Sequence, residues 1–475
     1  MTQIQQPTPD VDYYITELLR KQAELTERWR YYEGDADLRY SAERLATVFP
    51  QMTDVNFSLN LCALVVDTYG QRINLTGFNY GGEDDVENVT VCEQLRELFT
   101  ELELHNESDL VTTGVLVFGE AYYMVWVDPI TEEVQGYYHD PRVCHIKYAD
   151  DNPRRRESAA KWYYDAATKR VHLTIYYPDR LEYYQSRGVF ASFEDFKRDT
   201  IFEVSQPAEP NTFGEIPFFH FRFSPVSTRS ELTSVIPVQD AVSKLLTDMM
   251  VASEFGSFRQ RWVITNSDIG MLTNAPNEIW DLPAGDEESG KTQVGEFSPT
   301  DLQNYLGAVS AYIQSLGAIS GIPRYIIEPG SGEPSGESLR AQEGPLVKRA
   351  KKYIELFEAP WSRAMSFAYR LAYGVALDES DMKPTFENPN LSMPSLDAMV
   401  LETLNRAEIP YEAGLVLLNY DPDVIIRIKA IVEEAKAEAD ARSARALLKA
   451  QAEFDAGAPV ENDQPVRPEK NDAAA

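Results

Sequence analysis

The sequence predicts an α+β fold, and three features carry that prediction. A block from about Val111 to Ser224 consists of short runs rich in β-branched and aromatic residues, separated by turn residues, as in antiparallel sheet. The chain beyond it turns helical, with apolar residues at steps of three and four. A hydrophobic fraction of 43%, with 26 tyrosines and 21 phenylalanines among 475 residues, supplies a large core. That length suits about three domains or one large elongated subunit.

Asp12 to Arg30 reads as an amphipathic helix, broken at Gly34 in "YYEGDADLRYS". A second helix is expected over "LNLCALVVDTYGQRI", ending near Asn74. The strand-like runs follow: "GVLVFGEAYYMVWVD", "VCHIKYAD", "AAKWYYD", "RVHLTIYYPDRLEYYQ" and "IPFFHFRFS". After "STRSEL", Val238, Ala241, Val242, Leu245, Met249 and Ala252 repeat at helical spacing, with Pro237 placed as a first-turn proline. Arg259 to Phe297 is irregular, with several Pro and Gly, and reads as a small β-containing insertion. Ser298 and Pro299 read as the N-cap and first turn of the next helix, lined by Leu302, Tyr305, Leu306, Val309, Ile313 and Leu316. A long helix from Ser338 to about Tyr373 carries the stripe Leu346, Ala350, Tyr353, Phe357, Trp361, Ala364, Ala368 and Leu371, with a kink expected at Pro360. Further helices are expected near Ser395 to Arg406, Tyr411 to Asn419 and Pro422 to Phe454. The last residues, 456–475, lack apolar periodicity and are expected to be disordered.

Net charge is −32, from 76 acids against 44 bases. Such a surface repels polyphosphates at long range, which argues against a generic nucleic-acid binder with a basic face. Cys62, Cys92 and Cys144 are too few and too widely spaced for a disulfide framework or a CxxC knuckle, so reduced thiols are expected. The N-terminal stretch lacks a basic segment followed by an apolar core, so no secretory signal is expected. The longest uncharged run, Leu302 to Pro323, is too polar to span a bilayer.

The stretch "IPRYIIEPGSGEPSGESLRAQEGPLVKRAKK" is glycine-rich and followed by cations, which raises the question of a phosphate loop. Gly332 is followed by Glu333, Gly336 by Glu337 and Gly344 by Pro345, so the lysine that such a loop needs is missing each time. The stretch reads instead as a mobile tip between two helices. His139 and His145 flank Asp140 but have no paired metal-ligand spacing, and no GxSxG elbow is present. No catalytic residue, cofactor or metal is expected.

Several stretches, in this order, resemble the portal proteins of tailed bacteriophages, in particular the siphophage type of phages of actinobacteria. They include "YYEGDADLRY", "NLCALVVDTYGQRINLTGF", "GVLVFGEAYYMVWVD", "NTFGEIPFFHFRF", "RSELTSVIPVQDAVSKLLTDMMVASEFGSFRQRW" and "SGESLRAQEGPLVKRAKKYIELFEAPW". The resemblance implies a portal-type subunit: a mixed wing at 1–235, stem helices at 236–258 and 298–320, and a small β-containing clip at 259–297. It further implies a tunnel loop at 321–337, a long kinked helix at 338–375 and a helical crown at 376–455. It implies a ring, usually of twelve subunits, at one capsid vertex, through which double-stranded DNA is packaged and ejected. The expected partners are the terminase large subunit, head-tail adaptor proteins, and the major capsid and scaffold proteins, with no membrane. The protein would reside in the virion and, during assembly, in the host cytoplasm.

On that resemblance, the channel and tunnel-loop candidates are Arg324, Gly330, Ser331, Gly332, Ser335, Gly336, Arg340, Lys348, Arg349, Lys351 and Lys352. The candidates for partner docking on the clip are Arg259, Arg261, Trp262, Trp280 and Lys291. For any one cation, a surface role or an ion pair between subunits is the competing reading. An acidic ring-forming adaptor or collar without motor contact is the alternative function, and a hydrolase with an unrecognised site is the third.

Overall fold

The computed structural model describes residues 9–35, 59–81, 86–192, 195–224, 229–257, 261–264, 280, 292–297, 301–328, 336–390 and 394–406, and short pieces between 410 and 448. It divides into two compact units, Met1–Leu391 and Ser392–Ala475. The tail expected to be disordered lies outside the described residues.

In the first unit, helix α1 (Pro9–Glu33) lies on a five-stranded antiparallel sheet ordered β4-β5-β6-β7-β8. Its strands are β4 (Cys144–Ala149), β5 (Asn152–Asp165), β6 (Arg170–Tyr176), β7 (Arg180–Ser186) and β8 (Phe202–Pro210). Alternation puts Ala160, Trp162, Val171, Leu173 and Ile175 on the face that meets Val11, Tyr14, Ile15 and Leu18 of α1. The edge strand β8 carries Pro207, Pro210 and two glutamates, which blunt it against further pairing.

A second sheet, β3-β2-β9, comprises β3 (Val134–His139), β2 (Glu120–Val127) and β9 (Phe218–Arg222). It shares the largest core with α2 (Leu61–Gly70), α3 (Val86–Glu101), α4 (Leu104–Phe118) and the antiparallel pair of β1 (Leu75–Tyr80) with the sequence-distant β12 (Met382–Phe386). The long helix α8 (Gly336–Tyr373) seals this core with the stripe read from sequence: Leu346, Ala350, Tyr353, Phe357, Trp361, Ala364 and Ala368 are all buried. It runs continuously through Pro345 and Pro360. Helix α5 (Leu232–Ser257) leads to the two-stranded pair β10 (Arg261–Ile264) and β11 (Gln293–Glu296). The chain returns through α6 (Gln303–Ser320) and the short α7 (Arg324–Ile327).

Three sequence readings change. "GVLVF" is not strand but the last turns of α4; the strand starts only at Glu120. The last turns of α4, Gly114 to Phe118, are buried on every side, so their apolar residues show no helical period, and a Val/Leu/Phe run without period mimics a strand. Gly119 separates the two elements, with φ +90 and its amide bonded to Val115 O. An L side chain rarely adopts that conformation. Pro237 also sits deeper than a first turn, because α5 already begins at Leu232. Ser298 and Pro299 lie outside the described residues, and they are not the N-cap and first turn of the next helix: Asp301 and Leu302 are non-helical, and the helix begins at Gln303 with Leu302 as its N-cap.

In the second unit, α9 (Pro394–Arg406) matches the expected helix. Leu401 and Leu404 close over Gly414, and Leu415 beside it is buried. Residues 441–448 are helical.

Candidate functional site

The candidate site gathers α5, α6, α7 and the first half of α8. Helices α5 and α6 pack on each other, α5 burying Val235 and Val242 and α6 burying only Val309, Leu316 and Ser320. Gln239 joins α5 to α2: its side-chain oxygen accepts from Leu61 N at 2.7 Å, and its amide donates to Ser243 Oγ at 2.9 Å. Helix α6 ends at Gly321, φ +74, whose missing Cβ would stand 3.3 Å from Pro345 of α8. That close approach brings the start of α8 under the end of α6.

Helix α6 contains no charged residue over its 18 positions, in a chain whose net charge is −32. Leu306 at 45%, Tyr312 at 43% and Ile319 at 47% exposure lie uncovered on it, alongside exposed Gly307, Ala311, Ser315 and Ala318. An ordinary solvated face of this protein would carry acids. On β10 and β11, Ile264, Val294 and Phe297 next to them are likewise exposed.

The predicted cations separate into different environments. Arg324 on α7 pairs with Glu328 one turn on, at 2.9 Å. Arg340 lies half-buried in the early turns of α8. Lys348 and Lys352 are exposed one turn apart on α8, with no acid within ion-pair distance among the described residues; Lys351 is half-buried beside them. Lys352 Nζ stands 5.3 Å over the Phe223 ring. Arg349 is turned inward. Its Nη1 donates to Ser320 O at 2.7 Å and its Nε faces Glu231 Oε1 at 3.3 Å. Burial alone would lower its pKa, but the charge of Glu231 and the Tyr69 hydroxyl reverse this and raise it. Gly336 begins α8, whereas Gly330, Ser331, Gly332 and Ser335 lie outside the described residues.

Of the docking candidates, Arg261 and Trp262 stand on β10. The Arg261 guanidinium lies 5.7 Å from the Trp280 ring, within cation–π range. The Trp262 ring covers Gly295 of β11 so closely that a Cβ there would come within 2.4 Å of it. Arg259 and Lys291 lie outside the described residues.

Sequence reasoning missed the most buried polar cluster. Lys21 of α1 donates to Glu120 Oε1 at 2.5 Å and to His145 Nδ1 at 3.2 Å. Glu120 Oε2 accepts from His220 Nε2 at 3.2 Å, and His220 Nδ1 in turn accepts from the Tyr148 hydroxyl at 3.0 Å. These partners fit neutral imidazoles. Burial, with Lys21 nearby, lowers the His145 pKa to about 3, and burial likewise lowers that of His220. Burial pushes the Glu120 carboxyl up, but the bond from His220 and the charge of Lys21 outweigh it and hold the pKa well below the usual range. The cluster fastens α1 to both sheets. A single lysine within an amphipathic helix gave no signal of this in the sequence.

The model of the phage portal protein family described as SPP1 Gp6-like matches residues 11–405, most of the chain. The chain belongs to the phage portal protein family. The portal protein of Mycobacterium phage D29 is 26% identical over 381 residues, 74% of each chain. That of Mycobacterium phage L5 is 23% identical over 414 residues, 82% of this chain and 80% of the other. The match to the portal family spans both sheets, α5 to α8 and α9. Among the described residues of this portal subunit, no helix is long and apolar enough to cross a membrane.

Proposed function

We propose that the protein assembles into a ring at one capsid vertex and serves as the channel through which double-stranded DNA enters and leaves the head. Within it, the part before α5 together with β12 forms the wing, α5 and α6 the stem, β10 and β11 part of the clip, α8 the long helix, and 392–455 the crown. The role is structural, with no catalytic group or cofactor.

The uncharged, uncovered face of α6 is the observation that carries this reading. A chain at −32 repels its own copies, so self-association needs a surface free of acids, and α6 is one. DNA contact is then sparse. Lys348 and Lys352 can touch phosphates, while a largely acidic subunit avoids the firm binding that many neutralised phosphates would bring. Arg261, Trp262 and Trp280 offer an aromatic and cationic surface for the terminase large subunit and the head-tail adaptors. The wing and crown meet the capsid and scaffold proteins, in the virion and, before that, in the host cytoplasm.

The test is to place charge on the neutral face. The double variant Ala311→Glu with Ser315→Glu alters two exposed positions, so the subunit should keep its melting temperature and lose the large assembly in sedimentation velocity. An unchanged assembly would remove α6 from the interface. A ring that forms but never captures the packaging ATPase would favour the collar reading.

A further inference from the structure

Arg349 sits where three segments distant in sequence meet. Its Nη1 reaches Ser320 O at 2.7 Å and Ile319 O at 3.2 Å, carbonyls in the last turn of α6 that have no partner within the helix. Its Nε faces Glu231, the residue just before α5 and only 7% exposed. The same Glu231 oxygen accepts from the Tyr353 hydroxyl of α8 at 2.6 Å. Tyr69 of α2 completes the junction: its hydroxyl donates to Ser320 O and accepts from Arg349 Nη1 at 3.1 Å. A guanidinium suits this place because its donors point in fixed, divergent directions within one plane, which an ammonium cannot reproduce.

We propose that Arg349 is a positioning residue that clamps the start of α5 and the end of α6 to the long helix, so that these three segments open and close as one cooperative unit. Removing it strands Glu231 in a buried place with Tyr353 as its remaining partner, strips Ile319 O of its donor and leaves Ser320 O with Tyr69 alone. The loss is therefore felt on three elements at once. A neighbouring ion pair provides the contrast: Arg72 Nη2 meets Glu343 at 2.9 Å and Arg72 Nη1 donates to Pro389 O at 3.1 Å, bonds that touch neither α5 nor α6.

Hydrogen exchange on the full-length protein, read by mass spectrometry, tests the clamp. In Arg349→Met, exchange should rise together in 230–238, 316–322 and 344–353, by about tenfold or more as expected for lost charge-assisted hydrogen bonds, while 159–176 in the five-stranded sheet stays protected. Glu231→Gln should loosen the same three segments less, and its result decides if Arg349→Met does not fold. Arg72→Met should leave 230–238 and 316–320 unchanged. A rise confined to one segment, no rise, or an equal rise that includes the sheet would overturn the proposal.

Discussion

Single residues set the acid limit of this protein. His139 packs against Tyr137 and Phe218, with its Nε2 buried and unpaired among the described residues, and burial lowers its pKa to about 3. His145 and His220 are lowered as well. A folded pKa below the unfolded value of about 6.5 means that the unfolded chain takes up protons the folded chain refuses. The stability held by these rings is complete above pH ~6.5 and drains as pH falls below it, down to about 3 for His139 and His145, by at most about 1.4 kcal/mol per pH unit for each ring. Glu120, whose folded pKa is depressed, adds a loss that begins only below about pH 4.5. Urea unfolding followed by tryptophan fluorescence should thus show stability falling between pH 6.5 and 4.5, with a shallower slope in His139→Phe. An identical slope in the variant would contradict the assignment. At neutral pH, Glu120→Ala should cost about 3–5 kcal/mol by stranding buried Lys21, whereas Lys21→Met with Glu120→Leu should cost far less.

At the scale of elements, legibility followed burial pattern. The long helix α8 was readable because its first part buries one stripe, Leu346, Ala350, Tyr353 and Phe357, at the spacing the core requires, although 361–369 beyond it is buried on nearly every side. The end of α4, Gly114 to Phe118, is buried all round and was not. Arg349 was grouped with the surface lysines because Lys348, Lys351 and Lys352 surround it in sequence. Its position three residues after Leu346 and four before Tyr353 puts it on the core side of α8, a signal that was present and outweighed by composition. The junction of α6 with α8 also depends on Gly321. Gly321→Ala would force a Cβ into φ +74 and against Pro345, so we expect a loss of about 1–2 kcal/mol in thermal or chemical unfolding. A neutral result would mean that the turn relaxes without strain.

For the whole molecule, charge governs assembly. Copies carrying −32 each repel over the Debye length, about 30 Å at 0.01 M salt and about 8 Å at physiological ionic strength. The ratio of ring to monomer should therefore rise from low to moderate salt, as read by analytical ultracentrifugation; a flat or falling ratio would contradict a charge-limited interface. Whether this portal-family chain closes into a ring around a channel is read from electron microscopy of the purified full-length protein at moderate salt. End-on views should show closed rings with a central hole; monomers, dimers or solid particles across salt conditions would rule the ring out.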